Sequence, residues 1–165
     1  METEIADDVV SLLGETPEYL RSLAHNPSLA GAVWNACRRI LYEDSVLPRE
    51  TKYMIAYMTV RAYSSCPVCL DTHERMMAKI GIPSEILEQL RRDIEGLRLG
   101  ERVKTLLALS YHMVRTFGVE GEKETYEKLL ATLTSVYPRE EAVEAVLIIS
   151  LTKALQDFMH MLHLH

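Results

Sequence analysis

Apolar residues recur at three- and four-residue intervals along almost the whole chain, the spacing that lines one face of an α-helix. Ile5, Val9, Leu12 and Leu13 form the first such set. Thr16-Pro17 marks the start of a short second helix, with a hydroxyl at the cap and proline at the first helical position. Asn26-Pro27 ends that segment and opens a third, whose predicted inner stripe is Leu29, Val33, Ala36, Cys37, Ile40 and Leu41. Leu47-Pro48 begins a fourth, with Met54, Ile55, Met58 and Ala62 inward. A fifth follows Cys66 and stops at Gly81, ahead of Ile82-Pro83. Ser84 is expected to cap a sixth, carrying Ile86, Leu87, Leu90 and Ile94. Gly100 precedes a seventh with Val103, Leu106, Leu107, Val114 and Phe117. Gly118 and Gly121 bracket a turn before Tyr126, Leu129, Leu130 and Leu133. Pro138 opens the last and longest helix, predicted to face inward through Val143, Val146, Leu147, Leu151, Leu155, Phe158 and Leu162. No strand-like alternation, long repeat or low-complexity linker breaks the pattern, so an all-α helical bundle is expected.

Length and charge narrow the picture. With 165 residues, 48% hydrophobic and 25% charged, residues 1–165 are expected to form a single packed domain. A net charge of −6 without a basic stripe argues against nucleic acid as a partner. The acidic start, Met1 to Asp8, lacks the basic n-region of a signal peptide. The most apolar run, Val143 to Leu164, is interrupted by Lys153, Gln156, Asp157 and His160, which argues against a membrane span. Three cysteines are too few for a disulfide scaffold, so a reducing, cytoplasmic setting is expected. Ile148, Ile149, Met159 and Met161, on further sides of the last helix, hint at a homo-oligomer.

The chemistry concentrates in Cys66-Pro-Val-Cys69-Leu-Asp-Thr-His73. Pro67 fits the first position of a helix, which puts Cys66 near the N-cap and Cys69 in the first turn. His73 follows Cys69 by four residues and therefore shares its face. Unpaired helix amides and the helix dipole favour a thiolate there, and an imidazole can take the thiol proton. A sulfenic acid on one cysteine would condense with the other to a disulfide, and so short a loop is readily reduced again. A thioredoxin-type motif would follow a β-strand, whereas Glu50 to Ser64 reads as helix. Metal ligation by Cys66, Cys69 and His73, with a distant Cys37 or His112, is the alternative on spacing alone. Cys37 itself lies in an apolar stripe and is expected to be buried and inert. His25 is expected at the surface and His112 in the core or an interface, while His160 and His163, with the terminal His165, have a metal-compatible spacing but are expected to form an exposed, frayed tail. Glu74, Arg75 and the run Arg91-Arg92-Asp93 read as solvated helix faces.

The segment from Leu47-Pro-Arg-Glu-Thr-Lys-Tyr-Met-Ile-Ala-Tyr through the cysteine motif to Lys79-Ile-Gly-Ile-Pro83 resembles the core of the carboxymuconolactone decarboxylase/alkylhydroperoxidase D (AhpD-like) family. The likeness centres on residues 47–118 and extends loosely over most of the chain. It implies an all-helical domain that assembles as trimers or hexamers and reduces hydroperoxides without a prosthetic group or metal, using an external thiol reductant. It also implies that Cys69 attacks the peroxide, Cys66 resolves, and His73 belongs to a proton relay. The family's relay glutamate, twelve residues before the first cysteine, corresponds here to Met54; Glu50, Tyr53 and His112 are the residues available to replace it. The decarboxylase branch usually lacks the cysteine pair, which argues against that activity.

Overall fold

A computed structural model describes residues 3–64, 66–94 and 96–163. Its elements are α1 (Thr3–Leu13), α2 (Glu18–Ser22), α3 (Pro27–Cys37), α4 (Arg49–Tyr63), α5 (Pro67–Lys79), α6 (Ser84–Arg92), α7 (Glu101–Thr116), α8 (Lys123–Val136) and α9 (Arg139–Met161). The fold is all-α, as the periodicity predicts, with no strand among the described residues. A π-helical turn, Arg38–Tyr42, continues α3. Such a turn holds one residue more than an α-turn, and here it brings neighbouring Leu41 and Tyr42 into the core together.

The centre of the bundle is α4. Every residue from Thr51 to Val60 is buried, because α5, α7, α9 and the π turn all pack against this helix. Its polar side chains are satisfied internally: Thr59 donates to the Ile55 carbonyl at 2.9 Å, and Lys52 pairs with Glu144 of α9 at 2.7 Å. Beside it, Tyr42 stacks at a tilt between Trp34 (5.8 Å) and Tyr53 (5.4 Å). The α5 stop is built as the glycine suggests. Gly81 takes a φ of +91°, and the Ile82 amide returns to the Met77 carbonyl at 3.0 Å.

Several expected faces are rotated. Along α3 and the π turn the buried stripe is Ala30, Trp34, Cys37 and Leu41, while Leu29 is exposed, as is Ala36. In α9 the inner face is Ala142, Ala145, Ile148, Ile149, Thr152, Gln156 and Met159, and the predicted Val143 and Leu147 point outward. From Ala145 to Ile149 that helix is apolar on all sides, so hydrophobicity alone could not select its buried face. Phe117 is likewise exposed and packs on Tyr126. Asn26 caps α3 through Leu29 N–H at 3.2 Å. Neither Thr16 nor Ser84 caps its helix, where Pro17 and Pro83 hold the cap positions.

Candidate functional site

Cys66 is the N-cap of α5, and its Sγ accepts the Cys69 amide at 3.3 Å. Pro67 at the first helical position leaves that amide free to serve the sulfur. Both cysteines are free thiols; Cys66 is buried and Cys69 half-buried. Ser64 ties the cap to α9, with its hydroxyl accepting the Cys66 amide at 3.4 Å and donating to Gln156 Oε1 at 3.1 Å. The buried Gln156 side chain also hydrogen-bonds the Cys69 sulfur, a contact that by itself favours the thiolate. Nothing in the sequence motif pointed to Gln156. Its polar character on the inner face of an apolar helix is the signal that could have found it.

The electrostatics run opposite to the expected activation. Burial pushes the Cys69 thiol up to about 12, and the neighbouring Cys66 sulfur, which accepts the Cys69 S–H, adds to the shift. Burial also lowers His73 to about 4, so the imidazole is neutral at pH 7. No carboxylate hydrogen-bonds this ring among the described residues, and its Nδ1 is buried without a partner. The pair is therefore held protonated at Cys69, beside a neutral base.

The remaining relay candidates lie elsewhere. Glu50 pairs with Arg49 at 3.5 Å, and its side chain is 44% exposed. Tyr53 is sealed behind Tyr42 in the core, and burial raises its phenol to about 12. His112 is exposed on α7, edge-on to Tyr111, not buried as expected. Met54 is a core residue. Glu74 also departs from its expected solvated place. It is buried, accepts Tyr57 Oη at 2.9 Å and Arg91 Nε at 2.6 Å, and that guanidinium holds its carboxyl below the usual range. Arg91 is thus tied to α5 and is not a free surface charge. Cys37 is buried as expected, with desolvation raising it to about 11.

Among the described residues no group of three His, Cys, Asp or Glu side chains is placed to hold a metal ion, so Cys66, Cys69 and His73 do not form one. His160 and His163 belong to no such group either, and His165 lies outside the described residues.

A cavity of about 80 Å³ opens over Cys69 and His73. Tyr19, Leu41, Tyr42, Met76, Leu155 and Met159 make its walls largely apolar, and Thr152 and Gln156 face it from α9. The π turn matters here, because it supplies both Leu41 and Tyr42.

No family model matches the chain, and no curated protein matches it by sequence. Among solved structures it is similar to the debrominase Bmp8, a cysteine-to-alanine variant in complex with 2,3,4-tribromopyrrole. The identity is 19%, the TM-score 0.75, and the match covers 96% of this chain and 81% of that one. The likeness establishes a shared helical fold. Among the described residues no helix is long and apolar enough to cross a membrane.

Proposed function

We propose that the chain is a dithiol oxidoreductase that reduces hydroperoxides at the Cys66–Cys69 pair. The observation that carries this reading is the pair itself: two free thiols joined through a helix N-terminus, one of them opening on a cavity with a neutral imidazole. Cys69 is the sulfur that meets substrate. Neutral His73 accepts its proton as the sulfur attacks the peroxide oxygen; the O–O bond breaks and the alkoxide leaves as alcohol, taking a proton. The Cys69 sulfenic acid then condenses with the Cys66 thiol, releasing water and forming a disulfide. An external dithiol returns both electrons and both protons. The expected compartment for such a cycle is the cytoplasm, where thiols are kept reduced.

The test is a thiol count. Reduced protein treated with cumene hydroperoxide should lose two thiols per chain, recover them with dithiothreitol, and retain the buried Cys37. Retention of all three thiols would overturn the reading. Because neutral His73 takes the proton from a thiol that stays protonated near neutrality, the rate of thiol loss should be nearly level from pH 6 to 9 and should fall only as the imidazole is protonated towards pH 4.

A second reading draws its support from the fold neighbour's substrate. Reductive removal of bromine from an aryl bromide consumes the same pair, giving arene, bromide, a proton and the disulfide. Bromide release from 2,3,4-tribromopyrrole, measured beside cumyl alcohol formation, separates the two.

The neutral state of His73 also predicts a stability effect. Unfolding returns the imidazole to its ordinary pKa near 6.5, so between pH 6.5 and about 4 the unfolded chain binds a proton that the folded one refuses. Stability should fall across that window by about 3 kcal/mol, and His73→Phe should flatten this part of a urea-denaturation pH series. The outward Val143 and Leu147 of α9 form the surface on which we place self-association. Light scattering should show a smaller assembly for Leu147→Asp than for the parent chain.

A further inference from the structure

Among the described residues, two side-chain polar atoms are buried without a hydrogen-bond partner, His73 Nδ1 and Thr152 Oγ1, and both residues line the cavity over Cys69. Thr152 is 3% exposed. Their positions are related: His73 follows Cys69 by one turn on α5, and Thr152 precedes Gln156 by one turn on α9. Gln156 already bonds Cys69, so the turn beyond that contact carries the two unpaired atoms. A buried polar group left unpaired is costly, and native proteins keep few of them outside functional sites.

We infer that this cavity is a binding subsite for a neutral, ring-sized organic molecule whose single hydroxyl lies between His73 and Thr152. The inference rests on the reading that Cys69 meets substrate, and it adds the substrate class and its anchor. A hydroxyl both donates and accepts, so it satisfies Nδ1 in either imidazole tautomer together with the threonine hydroxyl. The same group is present in an organic hydroperoxide and in its alcohol product. The rest of the lining is mainly aromatic, aliphatic and thioether, suited to an apolar ring, with Glu18, Thr72, Cys69 and Gln156 as its other polar members. At about 80 Å³ the space is several times what one water needs (roughly 10–15 Å³), so hydrogen peroxide would leave most of it unfilled. A carboxylate is excluded on electrostatic grounds, since a desolvated anion would face a neutral imidazole and no cation lines the cavity among the described residues.

The test uses the reduced native chain at pH 7, with no oxidant present, and follows binding of phenol, benzene and benzoate by calorimetry or ligand-observed NMR. Phenol should bind at least tenfold more tightly than benzene, and benzoate should not bind. Thr152→Val, close in shape, should weaken phenol about tenfold and leave benzene unchanged, whereas Thr152→Ser should keep phenol affinity. Equal binding of phenol and benzoate, or a Thr152→Val variant with undiminished phenol affinity and a native circular dichroism spectrum, would overturn the inference. The outcome is independent of turnover. Phenol binding without thiol loss in cumene hydroperoxide would strike the proposed reaction alone, and thiol loss without phenol binding would strike the subsite alone.

Discussion

Cys69→Ser should abolish turnover of cumene hydroperoxide, with a loss of at least about 10³-fold in the rate of alcohol formation, because a hydroxyl is a far weaker nucleophile than a thiol under the same base. Cys66→Ser should behave differently. Its Sγ accepts the Cys69 amide and caps α5, a role that a serine hydroxyl performs well, so the variant should fold normally. The first peroxide should still be reduced, leaving Cys69 as a sulfenic acid that a neighbouring thiol can no longer trap. One equivalent of alcohol per chain, followed by arrest, is the expected time course in single-turnover assays with mass spectrometry. Multiple turnover in the Cys66→Ser variant would show that this sulfur does not resolve the intermediate. Gln156→Leu is the companion experiment. It removes the hydrogen bond to Cys69 that favours the anion and leaves the Ser64 hydroxyl only the longer contact to the Val60 carbonyl at 3.5 Å, so the alcohol burst should slow by about tenfold while the burst amplitude stays at one.

The helices were legible because their starts and stops are written in proline, asparagine and glycine. Asn26-Pro27 and Gly81 act where their chemistry says they should. Which face each helix buries was harder to read. In α9, Val143 and Leu147 are as apolar as Ile148 and Ile149, and the inner face is the one that also carries Glu144, which reaches back to the buried Lys52 of α4. The place of Cys66 at an N-cap and Cys69 in the first turn follows from Pro67, one residue from the cap. The ionisation of Cys69 could not be read locally. The helix N-terminus and the imidazole were expected to favour a thiolate, but burial against Leu41, Tyr42 and α9 outweighs them, and those neighbours come from distant parts of the chain. The same distance hid Gln156 and Thr152, which sit about eighty to ninety residues beyond the motif and gain meaning only when α9 folds across it. Glu74 shows the converse. Its place next to His73 suggested solvent, yet helix geometry turns it to the other side of α5, where Tyr57 and Arg91 hold it.

The largest stability effect should come from the ion pair that locks α4 to α9. Lys52 is fully buried, its Nζ 2.7 Å from Glu144 Oε1 and 3.5 Å from the Arg39 carbonyl at the edge of the π turn. The Glu144 carboxylate also accepts the Leu47 amide at 2.7 Å and the Ser45 hydroxyl, so one side chain closes the loop that precedes α4. These donors outweigh desolvation and hold its carboxyl below the ordinary value. Removing either partner leaves the other charge in a poorly solvated place, a loss of about 3–5 kcal/mol in comparable pairs. Glu144→Leu should be the more damaging, because it strands the lysine, which has no exposure at all, and frees two donors of the loop. Lys52→Met should be milder, since a carboxylate with 15% exposure keeps its loop donors and can take up a proton. The double variant should recover part of the loss, as an apolar pair of similar volume replaces the charged one. Urea denaturation of the two single variants and the double variant gives the coupling directly. The π turn brings Leu41 and Tyr42 to the Cys69 cavity and lies against the same lysine, so Lys52→Met should also lower phenol affinity while leaving the thiol count unchanged. Strict additivity in the double variant, with no recovery, would mean that the two charges are solvated independently and that α9 is held to α4 by apolar packing alone.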